Sequence, residues 1–345
     1  MTPPMDNRPI IIATRGSALA LAQAHLVLEQ CRAVFPKLQF ELKIIKTTGD
    51  KLQTASLAKA AASLPKGLFT KELESALLKH KADLAVHSLK DLPVELPAGL
   101  ALGAVGKRAD VRDVLIYRSA KWLEEEAENA AAIEWTPGQR QRRGFGPKLR
   151  LNDLPPSATV ATSSVRRKTQ LLHLRPDLKI VELRGNVPTR LQRLAERAEF
   201  DAIILAAAGL DRLHFSISQS GELSGDAVPD GLLATKLEVD EMLPAVGQGA
   251  IGIEIRADDE RMAAVCQRLN HYQTFQAVTA ERAFLKEMGG GCHSSFAAHA
   301  DVVGESLRLK ALAEIDGKIQ RAEARRPIQD AVELGRFVAA QLKGS

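Results

Sequence analysis

The chain is short of cysteine, aromatics, long apolar runs and excess charge, and each shortage excludes something. Cys31, Cys266 and Cys292 are the only cysteines in 345 residues. They lie far apart without metal-ligand spacing, so there is no disulfide framework or metal site to propose, and a reducing cytoplasm is the expected setting. Aromatic residues make up 4% of the chain, leaving few rings to stack on bases. No apolar run approaches the roughly 18–20 residues that span a bilayer. Ile10-Ile11-Ile12, after Met1–Pro9, has the length of a strand and not of a signal-peptide core. The basic excess is small, 47 Lys and Arg against 42 Asp and Glu for a net charge of +5. It admits an anionic ligand but is too small to indicate nucleic acid. No G-x-x-x-x-G-K-S/T or G-x-G-x-x-G stands between a strand and a helix, which leaves nucleotide binding unsupported. G-x-S-x-G is absent as well, which argues against an ordinary serine hydrolase.

What remains is an ordinary folded composition, 45% hydrophobic and 26% charged, in a chain long enough for two or three domains. The first half alternates strands and helices. Ile10–Thr14 reads as a strand ending at Arg15-Gly16-Ser17. A helix follows, with Leu21, Ala24, Leu28, Cys31 and Phe35 on one face and Pro36 closing it. Phe40, Leu42 and Ile44 alternate as in a strand, Thr70–His80 is helical, and Leu84-Ala85-Val86 is the next strand.

A second stretch repeats that order. Ala158–Ala161 is a strand ending at Thr162-Ser163-Ser164, and Val165–Leu174 is a helix. Lys179–Leu183 is a strand, Pro188 opens a helix running to Arg197, and Asp201–Leu205 matches Asp83–Val86. Alternation of this kind predicts an α/β fold whose sheets are mostly parallel, with two lobes forming a cleft between their loops. Residues 119–150 carry an acidic cluster, Glu124–Glu126, and then several basic residues among glycines and prolines; the expectation is a mobile surface insertion. The last part predicts a small α+β domain. It has a helix over Thr274–Met288 stopped by Gly289-Gly290-Gly291, a hairpin turning at Asp316-Gly317, and a final helix through Ala331, Leu334, Val338 and Leu342.

Three groups of residues carry candidate chemistry. Cys292 follows three glycines, which permit backbone conformations closed to other residues; it reads either as a thiol presented for covalent attachment or as a buried core cysteine. Arg15, Arg166, Arg167, Arg184 and Arg190 sit at strand ends or helix starts, with Ser17, Thr162, Ser163 and Ser164 nearby. They suit a ligand with several carboxylates or phosphates, against the plainer possibility of a solvated basic face. Ser88, Lys90 and Asp91 follow the third strand. The Asp reads either as an exposed ion-pair partner or as a proton carrier in a cleft. His87 reads equally as a packed core histidine.

The words themselves resemble those of the porphobilinogen deaminase (hydroxymethylbilane synthase) family. The matching segments are Thr14-Arg15-Gly16-Ser17 with Leu21–His25, Lys66-Gly67-Leu68-Phe69, Ala85–Asp91, and Thr162-Ser163-Ser164-Val165-Arg166-Arg167. Leu183-Arg184-Gly185-Asn186, Pro244–Gly249 and Gly290-Gly291-Cys292 complete the set, in the family's order.

The resemblance implies two periplasmic-binding-protein-like lobes with mixed, mostly parallel sheets, and a small C-terminal α+β domain. Residues 1–107 with 248–267 would form the first lobe, 111–243 the second with the insertion at 119–150, and 270–345 the cofactor-attachment domain. It further implies a dipyrromethane joined to Cys292 by a thioether, onto which four porphobilinogens are condensed head to tail. Each addition loses ammonia and leaves an electron-poor azafulvene for the growing chain to attack; water then releases hydroxymethylbilane, in haem and chlorophyll synthesis. By the same resemblance Arg15, Arg166, Arg167, Arg184 and Arg190 neutralise acetate and propionate groups, helped by Ser17, Ser88, Thr162, Ser163 and Lys90. Asp91 stabilises the charge on pyrrole nitrogens and moves protons, with Lys90 beside it. Lys59 and Arg212 match basic positions of the family's cleft. A monomer in the cytoplasm without nucleic-acid or membrane partners is implied. Ser63-Leu64-Pro65, the length of 119–150 and His293-Ser294-Ser295 depart from the family pattern. Two rivals stand beside this reading: a non-catalytic two-lobed protein that clamps a small anion, and a nucleic-acid-binding regulator using residues 140–150.

Overall fold

The computed structural model describes residues 8–47, 70–129, 141–291 and 294–344. The first lobe contains β1 (Ile10–Arg15), α1 (Ala18–Val34), β2 (Phe40–Ile45), α2 (Lys71–Leu78), β3 (Leu84–Ser88) and β4 (Leu100–Val105). The chain then crosses to a second lobe. This holds β5 (Asp113–Arg118), α3 (Ala120–Asn129), β6 (Thr159–Ala161), α4 (Val165–Leu174), β7 (Lys179–Val181), α5 (Val187–Glu196), β8 (Ala202–Ala206) and α6 (Ala207–Arg212). A small hairpin, β9 (Ser216–Ile217) and β10 (Leu223–Ser224), leads to β11 (Leu232–Lys236). A second crossover brings the chain back to the first sheet as β12 (Ile251–Arg256), followed by α7 (Glu260–Leu269). The C-terminal portion is α8 (Tyr272–Glu287), β13 (Ala297–Val303), β14 (Ser306–Ile315), β15 (Lys318–Pro327) and α9 (Ala331–Lys343).

Both lobe sheets are mixed, with the orders β2-β1-β3-β12-β4 and β7-β6-β8-β5-β11. In each, the first three strands are parallel, the fourth runs antiparallel to both its neighbours, and the fifth runs with the first three. The antiparallel share exceeds what strand–helix alternation suggests, because β12 and β5 enter by the crossovers and not through a βα unit. Helices cover both faces of each sheet, so alternate residues of one strand belong to different cores. In the first lobe Ile10 and Ile12 pack with Val27, Leu28 and Met262, while Ala13 and Ala85 pack with Leu73 and Leu77. In the second, Val114 and Ile116 meet Leu191 and Leu194, and Leu115 and Tyr117 meet Leu171.

The lobes repeat each other in detail as well as in order. Asp83 opens β3 and accepts from the Ile11 amide of β1 at 2.9 Å. Asp201 opens β8 and accepts from the Thr159 amide of β6 at 2.8 Å. Arg256 ends β12 and donates to the Leu77 and Ala82 carbonyls at the end of α2. Arg118 ends β5 and donates to the Leu194 and Phe200 carbonyls around the end of α5. Ser17 caps α1 and Ser164 caps α4, each accepting from the amide three residues on.

The third sheet, β13-β14-β15, is antiparallel and packs its inner face on α8 and α9 through Phe284, Leu307, Leu309, Leu334 and Val338. Its hairpin turns at Asp316 and Gly317, both with positive φ (50° and 73°), the two-residue turn that fits strand twist. Of the insertion, residues 119–129 and 141–150 are described. Within its described part α3 buries no side chain. Residues 141–150, however, are folded against the second lobe: Phe145 stands edge-on to Tyr117, and the Leu149 amide donates to the Tyr117 hydroxyl at 2.9 Å.

Candidate active site

The catalytic candidates of the first lobe hang on the end of β3. Leu89–Asp91 forms one 3-10 turn, closed by the Leu92 amide on the Leu89 carbonyl at 3.1 Å. Leu89 and Leu92 are both buried, and the Leu89 amide donates to the Ala250 carbonyl of the second crossover. The two leucines anchor the turn, with Lys90 half-buried and Asp91 exposed between them. Ser88 exchanges hydrogen bonds with Gln23, a buried residue of α1, at 2.7 and 3.1 Å.

Opposite stands a group that sequence reading missed. Asp113 is wholly buried at the start of β5, directly after the first crossover. Its two oxygens lie 2.7 Å from Arg166 and 2.7 Å from Arg167, both in the first turn of α4. Gln248 of the second crossover donates to the same carboxylate at 2.9 Å and to the Val111 carbonyl at 2.7 Å. Burial alone would raise the Asp113 carboxyl; the two guanidiniums outweigh it and hold it well below the usual carboxylate range. Arg166 also donates to the Leu243 carbonyl and Arg167 to the Ile204 carbonyl. The two arginines are therefore buried and internally braced, not part of a solvated face. Their Nε atoms are buried without a hydrogen-bond partner, and an unmet donor of this kind is what a bound carboxylate satisfies.

Further charges join this centre. Burial pushes the Lys90 ammonium down to about 8; neighbouring Asp91 opposes the shift, and Arg166 and Arg167 add to it. Arg190 and Arg212 are lowered to about 10, chiefly by burial, and both feel the Asp91 carboxylate. Arg212 reaches the Gly249 carbonyl at 2.7 Å, and Arg190 the Gly185 carbonyl at 2.8 Å. Five cationic side chains thus share one electrostatic neighbourhood with three carboxylates, Asp91, Asp113 and Asp211. A dipyrromethane, with one acetate and one propionate on each ring, fits a donor set of that excess.

The remaining candidates are more local. Ser17 is the α1 cap, and Thr162 accepts from the Ser164 amide at 3.2 Å. The exposed Ser163 donates to the Leu183 carbonyl at 2.9 Å, tying the loops after β6 and β7. Arg184 pairs with Glu182 at 3.1 Å near the surface. Arg15 is half-buried at the end of β1. His87 is a core histidine, its Nε2 2.9 Å from the buried Glu254. Asp113 had one sequence signal: like Asp83 and Asp201 it is an acid opening an apolar strand, Val114-Leu115-Ile116-Tyr117.

Cys31 and Cys266 are fully buried in one core, where burial pushes both thiols up to about 12; they are packing residues. Cys292, Lys59, Lys66–Phe69 and Ser63-Leu64-Pro65 lie outside the described residues. The approach to Cys292 is described. Helix α8 ends with the Gly290 amide on the Leu285 carbonyl and the Gly289 amide on the Lys286 carbonyl, the paired bonds of a Schellman motif. Gly289 takes φ +69°, and a Cβ on Gly290 would come within 2.4 Å of the Phe296 ring.

Comparisons with known proteins agree along the whole chain. Residues 10–264 match the family model described as "Porphobilinogen deaminase, dipyromethane cofactor binding domain", and residues 275–344 match "Porphobilinogen deaminase, C-terminal domain". A protein named porphobilinogen deaminase in Syntrophobacter fumaroxidans is 41% identical over 344 residues, covering 99% of this chain and 96% of that one. One of the same name in Thermus thermophilus is 40% identical over 331 residues, covering 95% and 93%. Among solved structures, the periplasmic aliphatic sulphonate binding protein SsuA from Escherichia coli is a loose likeness, with a TM-score of 0.36 and 11% identity over 81% of this chain and 70% of that one.

Proposed function

The chain belongs to the porphobilinogen deaminase family, and from that premise we propose that it works as a hydroxymethylbilane synthase, a transferase of tetrapyrrole synthesis. It condenses four porphobilinogens head to tail on a dipyrromethane, releasing ammonia at each addition and hydroxymethylbilane at the end. The dipyrromethane supplies the pyrrole that primes the chain, and we assign its attachment to Cys292. The domain division that serves this activity is 1–107 with 248–267, 111–243, and 270–345, a reading supported by the three larger sheets. The protein acts as a monomer in the cytoplasm, with no nucleic-acid or membrane partner. Among the described residues no helix is long and apolar enough to cross a membrane.

The observation that carries the reading is an exposed carboxylate, Asp91, set among Lys90, Arg190 and Arg212 and close to the braced pair Arg166 and Arg167. The guanidiniums and Lys90 bind the acetate and propionate groups, as charge-assisted donors do best where water is scarce. Arg15, Arg184, Ser17, Ser88, Thr162 and Ser163 extend that binding along the loops. Each addition breaks a carbon–nitrogen bond, which needs a proton on the leaving amine, and forms a carbon–carbon bond, which frees a proton from the attacking ring carbon. Asp91 gives and takes those protons and stabilises positive charge on the pyrrole nitrogen. Lys90, protonated, holds a carboxylate beside it.

The test is the intact mass of the purified protein beside its Cys292→Ala variant. An excess equal to two linked pyrroles, present only with the cysteine, is the expected result. Equal masses after correction for the substitution, persisting after incubation with porphobilinogen, would sink the attachment and with it the synthase reading.

A further inference from the structure

After Asp91 the chain runs as a strap, Leu92–Glu95, across helix α8. Three consecutive strap carbonyls converge on one guanidinium there. Arg282 donates to the Leu92 oxygen at 3.2 Å, the Pro93 oxygen at 2.7 Å and the Val94 oxygen at 3.2 Å. One helical turn on, Lys286 lies 3.2 Å from Glu95. Val94 packs into the core of the C-terminal domain, as do Met288 and Phe296. The plain function of such bonds is to satisfy carbonyls that no strand or helix serves. Their location gives them a second one.

The strap begins one residue after Asp91, and α8 ends at Glu287, five residues after Arg282, before the glycine turn that leads to Cys292. At about 1.5 Å of rise per residue, about 7.5 Å of helix follows Arg282 before that turn. The neighbouring residue on α8 is clamped in turn. Glu281, wholly buried, accepts from Arg108 of the first crossover at 2.6 and 3.0 Å, from the Gly247 amide of the second at 2.7 Å, and from the Ala300 amide at 2.8 Å. The helix is thus fixed against both crossovers while Arg282 fixes the strap against the helix.

We propose that Arg282 is a positioning residue for the condensation, setting the spacing between the Asp91 turn and the loop that bears the growing chain. The proposal rests on the assignment of Asp91 and Cys292 above. Displacements near 1 Å in such spacing cost up to about a hundredfold in rate. Arg282 touches neither substrate nor reacting atoms; it acts through the backbone of the strap.

The experiment compares Arg282→Gln, Arg282→Lys and Lys286→Ala as full-length holoenzymes, each corrected for its folded fraction. Intact mass reads both cofactor loading and the number of pyrroles added, and rapid mixing with porphobilinogen reads the first addition. Arg282→Gln is expected to keep the two-pyrrole mass and to change KM less than about threefold, while its first addition slows ten- to a hundredfold. Arg282→Lys is expected to recover several-fold, since an ammonium reaches the same carbonyls without the fork. Lys286→Ala, which loses an exposed pair, stays within about twofold. A normal first addition in Arg282→Gln, or a loss that follows cofactor loading, would overturn the proposal. Asp91→Ala run alongside separates the two readings. Normal turnover in that variant defeats the site assignment itself. An inactive Asp91→Ala with a normal Arg282→Gln defeats only the positioning function.

Discussion

The two lobes share a sheet order, an Asp-led strand, an arginine that closes the helix before it and a serine cap on the helix after the first strand, yet they carry their charged side chains at different places on that plan. In the first lobe the helix after β1 opens with Ala18, Leu19 and Ala20, and the chemistry sits at the end of β3 as Lys90 and Asp91. In the second lobe the end of β8 is apolar, Ala206-Ala207-Ala208, and the helix after β6 opens with Val165, Arg166 and Arg167. Asp113 at the start of β5 has its topological counterpart in Ile251 at the start of β12. One plan therefore carries a buried arginine pair braced by a carboxylate on one side and a turn bearing Lys90 and Asp91 on the other, to which the proposed function assigns anion binding and proton transfer. The shared parts are those that close each sheet.

The sharpest way to break the contrast is to remove the carboxylate from one side. Asp91→Ala is expected to lower turnover by a hundredfold or more with the melting temperature unchanged. Arg166→Leu is expected to stall elongation and to lower stability as well, since it strips a partner from Asp113. Steady-state kinetics beside calorimetry distinguishes the two patterns. If Asp91→Ala turns over normally, the cleft is only a clamp.

Asp113→Leu strikes the second lobe's brace. Two buried guanidiniums are left without their counter-charge, which costs about 3–5 kcal/mol. The native advantage has a definite sign with pH. The Asp113 carboxyl is depressed in the folded protein. Its contribution is therefore complete above the ordinary carboxylate value near 4 and is lost as the pH falls below it. Urea unfolding of wild type and variant at pH 7 and pH 3 should show the gap narrowing on acidification; a constant gap would contradict an ionised triad.

The repeat itself is tested by its two closing arginines. Arg256→Met and Arg118→Met are each expected to destabilise by about 2–3 kcal/mol, through carbonyls left unsatisfied in equivalent places. Neither should change turnover of the folded enzyme. A loss in one lobe only would show that the geometric match lacks an energetic one.

The smallest effect concerns Lys90. With its ammonium lowered to about 8, kcat/KM should fall by about threefold as the pH rises through that value, because a carboxylate partner is neutralised in the free enzyme. Lys90→Arg should flatten that limb. A limb unchanged in Lys90→Arg would assign the titration to another group.

Much of the framework was legible because it is local. The helix that the spacing predicts over Val165–Leu174 has those bounds in the structure, and those predicted over Thr70–His80 and Thr274–Met288 differ from α2 and α8 by one or two residues at each end. Three- and four-residue spacing fixes a helical face, and a glycine or proline fixes its end. The strand that the sequence predicts over Lys179–Leu183 is two residues shorter in the structure, since Leu183 leaves β7 to exchange hydrogen bonds with Ser163. The arginines were legible as residues at strand ends, but their burial was not. Arg166 is charged and follows a polar loop, which by itself describes a surface residue.

By itself the sequence determined the alternation of strands and helices, the hairpin at Asp316-Gly317, the glycine stop after α8 and the family to which the chain belongs. Each of these is written in residues that are neighbours in the chain. Only the tertiary structure decided that Arg166 and Arg167 share Asp113, more than fifty residues away, and that Arg256 and Arg118 do the same service in two lobes. It alone brought the strap after Asp91 onto Arg282. A buried charge finds its partner through the crossovers and not along the chain, and the cost of leaving it alone, several kcal/mol in a dry interior, exists only once the lobes have closed around it.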